Sequence, residues 1–353
     1  MKELHLSRRA LIAGLAAAAA ECALVPNAFA QPSTAPFRID THHHVIPPRW
    51  LAAKRDEIIA ASGGPTAVVN WTLEGALEEM NRRGIATAIT SITTPGVWFG
   101  NVEEGRRLAR ECNEYGAQIA RDHPGRFGMF AAIPLPDTQG SLDEIAYAYD
   151  VLKLDGIGLL TSYGDKWPGD PAFAPVFEEL NRRKAVVFFH PTVAACCAHV
   201  VDDLPPSIIE FGFNTTRAIE SLLFSGAFTR YPDVRFVFAH GGGTLPFLAD
   251  RMGKTSYSRR PDVRALLPNG PEPLLRKLYF DVVSVTNRPA MSALTALMPA
   301  SQLLFGTDNP FVAPAATLNE LLGLGLPPGL LQAIQRDNAL RLFPRLRAPN
   351  GGG

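Results

Sequence analysis

The chain is poor in excess charge, in cysteine and in long apolar runs, and each shortage closes a class of function. Lys+Arg and Asp+Glu stand at 34 each in 353 residues. A net charge near zero gives no electrostatic case for nucleic acid or an anionic membrane surface as partner. There are only four cysteines. Cys22 falls in the N-terminal segment, and the remaining Cys112, Cys196 and Cys197 are too few and odd-numbered for a disulfide framework. The apolar run near the N-terminus holds about ten residues, half of a bilayer span, so no stable membrane anchor is expected. Beyond residue 36 there is no low-complexity stretch, internal repeat or linker-like change of composition.

What is present first is an address. Ser7-Arg8-Arg9-Ala10-Leu11-Ile12 is a twin-arginine signature, followed by an alanine-rich run and the small-x-small site Ala28-Phe29-Ala30. Residues 1–30 therefore read as a Tat signal peptide and 31–353 as one exported domain, destined for the periplasm. Glu21, where a small residue is wanted, argues against a lipoprotein anchored through Cys22.

Apolar runs then alternate with amphipathic segments. Strands are predicted over 37–44, 87–92, 126–134, 156–161, 185–190, 235–240, 278–284 and 303–308. Helices are predicted over 71–83, 101–121, 141–154, 215–231 and 289–297, with another opened by Asp170-Pro171. Cys112 takes a core position on its helix. Repeated strand–helix units in a chain of this length predict a (β/α)₈ TIM barrel, with an open doubly wound sheet as the weaker alternative.

In such barrels chemistry sits at the C-terminal ends of the strands. His42 and His44, His190, His240 and Asp308 terminate four different predicted strands. Strand alternation puts His42 and His44 on one face and His43 on the other. His42, His44, His190 and Asp308 are thus the expected metal ligands, a nitrogen–oxygen set suited to one zinc ion, with manganese or cobalt as alternatives. His240 is the expected general acid/base, with Asp308 assisting it. The fourth strand ends in Thr161-Ser162, without a lysine to carbamylate and bridge two metals, which favours a single ion.

These residues resemble the amidohydrolase superfamily, and within it the amidohydrolase-related branch typified by aminocarboxymuconate semialdehyde decarboxylase. The resemblance covers 38–343 and rests on Asp40-Thr41-His42-His43-His44, Phe189-His190-Pro191, Phe238-Ala239-His240-Gly241-Gly242-Gly243 and Phe305-Gly306-Thr307-Asp308-Asn309-Pro310-Phe311. It implies a metal-dependent barrel enzyme, a carboxy-lyase that releases CO2 from a small aromatic or unsaturated carboxylic acid. The opening with a third histidine and Ile46-Pro47-Pro48 is similar to decarboxylases of hydroxybenzoates such as 6-methylsalicylate. A hydrolase of a lactone, ester or amide would use the same ligands, and a non-catalytic binding protein would retain them without need.

The resemblance also implies a homodimer in which Arg251 grips a substrate carboxylate across the interface. A second arginine belongs near 71–80, where this sequence has none. That departure puts an aminocarboxymuconate substrate in doubt. Trp98, Phe99 and Trp167, on loops at the site end, are candidate substrate walls. His123 reads as a helix-end residue. Cys196, Cys197 and His199 lie in the loop after the fifth strand without an assigned role, and Asp281 could face either the barrel or the helices.

Overall fold

The computed structural model describes residues 37–62, 65–198, 200, 204–256 and 261–347. The predicted signal peptide and His199 lie outside the described residues. Eight parallel strands stand in sequence order in one sheet. They are β1 Arg38–His44, β2 Ile85–Ser91, β3 Phe127–Ala132, β4 Gly156–Leu160, β5 Val186–His190, β6 Arg235–Phe238, β7 Tyr279–Asp281 and β8 Leu303–Leu304. Backbone bonds join the last strand region to the first: Thr41 N–H donates to Phe305 O at 2.9 Å and His44 N–H to Asn309 O at 2.8 Å. Those bonds curl the sheet into the expected (β/α)₈ barrel.

Half of the barrel helices start where a short polar side chain takes up an unpaired N–H group. The barrel helices are α1 Leu73–Arg83, α2 Val102–Asp122, α3 Thr138–Tyr147, α4 Ala174–Arg182, α5 Pro206–Phe224, α6 Leu245–Arg251, α7 Arg288–Leu297 and α8 Pro314–Gly323. Thr72 caps α1, Asn101 caps α2 and Asn287 caps α7. Cys112 is fully buried on α2, as its spacing predicts. His123 is the C-cap of α2.

Between the strands, three stretches differ from the sequence expectation. Asp137, not Ser141, caps α3, its carboxylate accepting from Gly140 N–H; Ser141 is buried a turn later. The stretch expected to remain loop up to residue 214 becomes helix at Pro206, because a proline at N1 lacks only a donor that the first turn leaves unpaired. Three short helices, Pro48–Ala53, Arg55–Ala61 and Pro65–Val69, fill the connection after β1.

Inside the barrel, Ile39, Ile89, Phe130, Val186, Phe188, Val237 and Leu304 form the core. β4 supplies none of these side chains. Its two lower inward positions are Gly156 and Gly158, and a Cβ on Gly156 would meet Val186 O at 2.5 Å and the Phe130 ring at 2.9 Å. Phe130 stacks on Phe188 with ring centroids 5.1 Å apart. The β4 glycines thus give room to the aromatic stack that floors the barrel mouth.

Candidate metal centre and active site

Alternation places Phe188 and His190 on the same face of β5, one layer apart. The ring of His42 rests edge-on over Phe188 at 5.1 Å between centroids. His44 and His190 approach at 4.6 Å. Ligand atoms from His42, His44, His190 and Asp308 all lie within 4.8 Å of one another, and all four residues are buried.

Each histidine of this group is held by its Nδ1. That of His42 donates to Asp281 Oδ2 at 2.9 Å, that of His44 to Ser91 O at 3.3 Å and that of His190 to Pro191 O at 2.9 Å. An imidazole fixed as an Nδ1–H donor presents an Nε2 lone pair. The Nε2 atoms of His42 and His44 meet at 3.2 Å, a spacing that two ring nitrogens hold only with a proton or a cation between them. Asp308 Oδ1 approaches the same two nitrogens at 3.3 and 3.0 Å, without the angular form of a hydrogen bond to either. Such a convergence of lone pairs and negative charge in a buried site calls for a cation, and the His₃Asp set fits one divalent ion.

Electrostatics agree. Burial resists charge on His42, but the Asp281 and Asp308 carboxylates outweigh it and push that imidazole up to about 10 in the metal-free protein. Burial holds His44 below the ordinary imidazole range and His190 well below it, the latter also through its histidine neighbours, so both are neutral donors. Burial opposes ionisation of Asp308 as well, yet positive His42 and the bond from His240 keep it well below the carboxylate range.

His240 and Asp308 stand beyond the ends of β6 and β8 rather than on them, both in the left-handed region at φ 54° and 59°. The strands stop short because the chain after β8 follows β1 irregularly: Thr307 N–H and Asp308 N–H both donate to His42 O, at 3.2 and 2.7 Å. His240 Nε2 meets Asp308 Oδ2 at 3.3 Å, and His240 N–H donates to Asp281 Oδ1 at 3.1 Å. Positive φ at non-glycine residues in a mouth so heavily bonded is strain held by its surroundings.

Asp281 is the residue whose role the sequence left open. It is fully buried and faces the barrel, fixing His42, the His240 backbone and Val283 N–H together. His43 points away from the metal group, as alternation predicts; its Nδ1 donates to Asp40 and its Nε2 accepts from Asn309. Asp40 also accepts from His42 N–H, Thr307 N–H and the Thr307 hydroxyl, tying the ends of β1 and β8 into one unit.

Above the metal group opens a cleft of about 770 Å³ reached by His190, His240 and Asp308. Its apolar wall includes Ile209, Phe211 and Phe213 from α5, with Val285 and Phe311 opposite. Thr94 completes one side, its hydroxyl paired with Thr192 at 2.7 Å. Trp98 lines a smaller recess that also reaches His190. Trp167 is half-buried and borders neither space. Arg251 is exposed on the last turn of α6, outside the cleft wall of its own chain. Cys196 is exposed and Cys197 half-buried, in the short turn Ala195–Cys197.

Residues 39–345 match the sequence profile of the amidohydrolase family. Decarboxylase yanB of Aspergillus niger is 38% identical over 336 residues, covering 88% of this chain and 89% of that protein. The 6-methylsalicylic acid decarboxylase of Penicillium expansum is 35% identical over 319 residues, covering 88% of this chain and 97% of that protein. Among solved structures, a dihydroxybenzoic acid decarboxylase from a Polaromonas species, with bound manganese and the inhibitor 2-nitroresorcinol, superposes with a TM-score of 0.74. It is 19% identical and the match covers 88% of this chain and 98% of that one.

Proposed function

The chain belongs to the amidohydrolase family, and we propose that it is a metal-dependent carboxy-lyase releasing CO2 from a small hydroxybenzoate of the 6-methylsalicylate kind. The single observation that carries the reading is the His42–His44–His190–Asp308 group with His240 bonded to its carboxylate at the base of an apolar cleft. Relatives named 6-methylsalicylic acid decarboxylase, matched over nearly their whole length, favour decarboxylation over hydrolysis at the same ligands.

His42, His44, His190 and Asp308 would hold a divalent ion, which would supply Lewis-acid polarisation of the acid's oxygen atoms. The protein does the rest. Phe211, Phe311 and Val285 hold an aromatic ring and exclude water from it. The bond from ring carbon to carboxylate breaks, its electron pair stays on the ring carbon, and CO2 leaves. The proton that completes the new C–H bond comes from His240 Nε2, which the Asp308 carboxylate orients at 3.3 Å and which solvent re-protonates. Asp281 keeps His240 in place through its backbone.

Zinc is the ion proposed, on the nitrogen-rich ligand set; manganese, bound in the Polaromonas relative, is the alternative. A homodimer with Arg251 reaching a neighbouring cleft is proposed on the resemblance, and its exposed position permits it. Export through the twin-arginine route is proposed on Arg8-Arg9 and Ala28-Phe29-Ala30.

The test is product analysis with the metal-loaded protein on hydroxybenzoic acids, muconate-type acids and lactones. Loss of CO2 from a hydroxybenzoate, reduced roughly 10²–10⁴-fold in His240→Ala at undiminished metal content, is the expected result. Water addition to a lactone with every acid untouched would overturn it.

A further inference from the structure

Beside the metal group, on the barrel side of His190, lies the small recess bordered by Trp98. Its volume, about 30 Å³, is roughly two to three times the ~10–15 Å³ that a single water needs. Its wall is mainly apolar and includes Phe130, Ile133, Leu135, Leu160 and Phe188. Few polar side chains border it: the Ser91 hydroxyl contacts His44 Nδ1 at 3.3 Å, the Tyr163 hydroxyl accepts from Leu160 N–H at 2.9 Å, and His190 Nδ1 donates to Pro191 O at 2.9 Å. A water inside would find few of the two to four partners it requires. The space suits a small apolar guest.

The recess is left where β4 carries glycine: Gly158 puts no side chain into it, while Leu160, two residues on, lines its edge. Barrel interiors are normally filled by inward side chains in layers. The space at Gly156 is taken by Val186 O and the Phe130 ring, but that at Gly158, one layer higher, is not. A Cβ on Gly158 would meet nothing closer than Phe130 Cβ at 3.5 Å and the carbonyl oxygens of Phe130 and Ala131 at 3.6 and 3.7 Å, ordinary contacts. No backbone strain requires glycine at this position. His190 borders both the recess and the main cleft, so the two spaces meet at a metal ligand.

We propose that this recess receives CO2 as it leaves the substrate. The proposal rests on the decarboxylation reading above. Cleavage turns a charged, bent carboxylate into a linear triatomic without charge or net dipole, which loses its hold on the metal side of the cleft. An apolar space next to His190 takes it without passing the ring still in the cleft. By microscopic reversibility the same recess binds CO2 when the phenolic product is carboxylated.

The test uses the metal-loaded protein and Gly158→Ala, whose added methyl enters the recess without a clash, with Gly158→Val as a larger filling. Crystals of each are pressurised with xenon, an apolar probe of such spaces, and the kinetics of decarboxylation and of carboxylation at varied CO2 are measured. The expected result is xenon in the recess of the parent protein and none in the variants. The KM for CO2 should rise about five-fold or more in Gly158→Ala, while the KM for the acid stays within about two-fold. With carboxylation kcat unchanged, the fixed equilibrium constant then requires decarboxylation kcat to fall by the same factor.

Xenon absent from the parent recess overturns the proposal. So does a raised KM for the acid with that for CO2 unchanged, which would make the recess a seat for a ring substituent. A parent protein that decarboxylates no acid yet binds xenon in the recess would show that the reaction reading had failed, and this proposal with it.

Discussion

Asp281 and His42 form the hinge of the site. The carboxylate accepts from His42 Nδ1 at 2.9 Å through one oxygen and from the His240 backbone N–H at 3.1 Å through the other. One buried residue thus orients a metal ligand and positions the acid/base residue. Asp281→Asn keeps the size but removes the charge that makes His42 a strong donor. Metal affinity should fall about 10–100-fold, read by equilibrium titration of the ion, with activity recovering substantially when metal is supplied in excess. Unchanged affinity would mean that Asp281 only fills space.

The metal ligands were legible in the sequence because each lies in a short motif whose partners are strand ends in a barrel. Asp281 was not, because the run 278–284 is apolar on both faces, with Phe280 and Val282 on one and Tyr279 and Val283 on the other, and so does not tell inward from outward. Its signal was chemical: an acid in an apolar run must have partners if it is buried. The apolar cleft wall escaped for another reason. Proline-rich residues 205–206 read as loop, yet Pro206 opens α5, whose first turns bring Ile209, Phe211 and Phe213 to the mouth.

Metal loading should release a proton. With His42 pushed up to about 10 in the metal-free protein, its Nε2 carries hydrogen at neutral pH, and a bound ion must displace it. About one proton per ion should appear near pH 7, fading as pH passes 10; calorimetry in buffers of different ionisation enthalpy reads the number. The sign for metal-free stability follows from the same elevation. The contribution of charged His42 is complete below the unfolded imidazole value of about 6.5 and is lost as pH rises through about 10. Metal binding without proton release would place the ion elsewhere.

Gly306 is required by closure of the barrel, not by flexibility. A Cβ there would sit 2.7 Å from His42 Cβ and 3.2 Å from Asp281 Cβ. Gly306→Ala must displace His42, the ligand that Asp281 orients. Metal content should fall below stoichiometric levels, with activity down at least tenfold, while far-ultraviolet circular dichroism retains the barrel signal. Full metal occupancy in the variant would show that the strand moved instead of the histidine.

Asp40 separates stability from chemistry. Its buried carboxylate takes hydrogen bonds from His42 N–H at 3.1 Å, Thr307 N–H at 3.1 Å, Thr307 Oγ1 at 2.5 Å and His43 Nδ1 at 3.0 Å. These join the two strands whose pairing closes the barrel, and none reaches the substrate cleft. Asp40→Ala strips partners from four buried donors at once, which should cost about 3 kcal/mol or more, read from the denaturant midpoint of the metal-free protein. Because Asp40 acts on backbone and not on the Nε2 lone pairs, the fraction that remains folded should still bind one ion per chain. A variant of parental stability would mean that the β1–β8 seam is held by the backbone bonds alone, and that Asp40 serves His43 rather than closure.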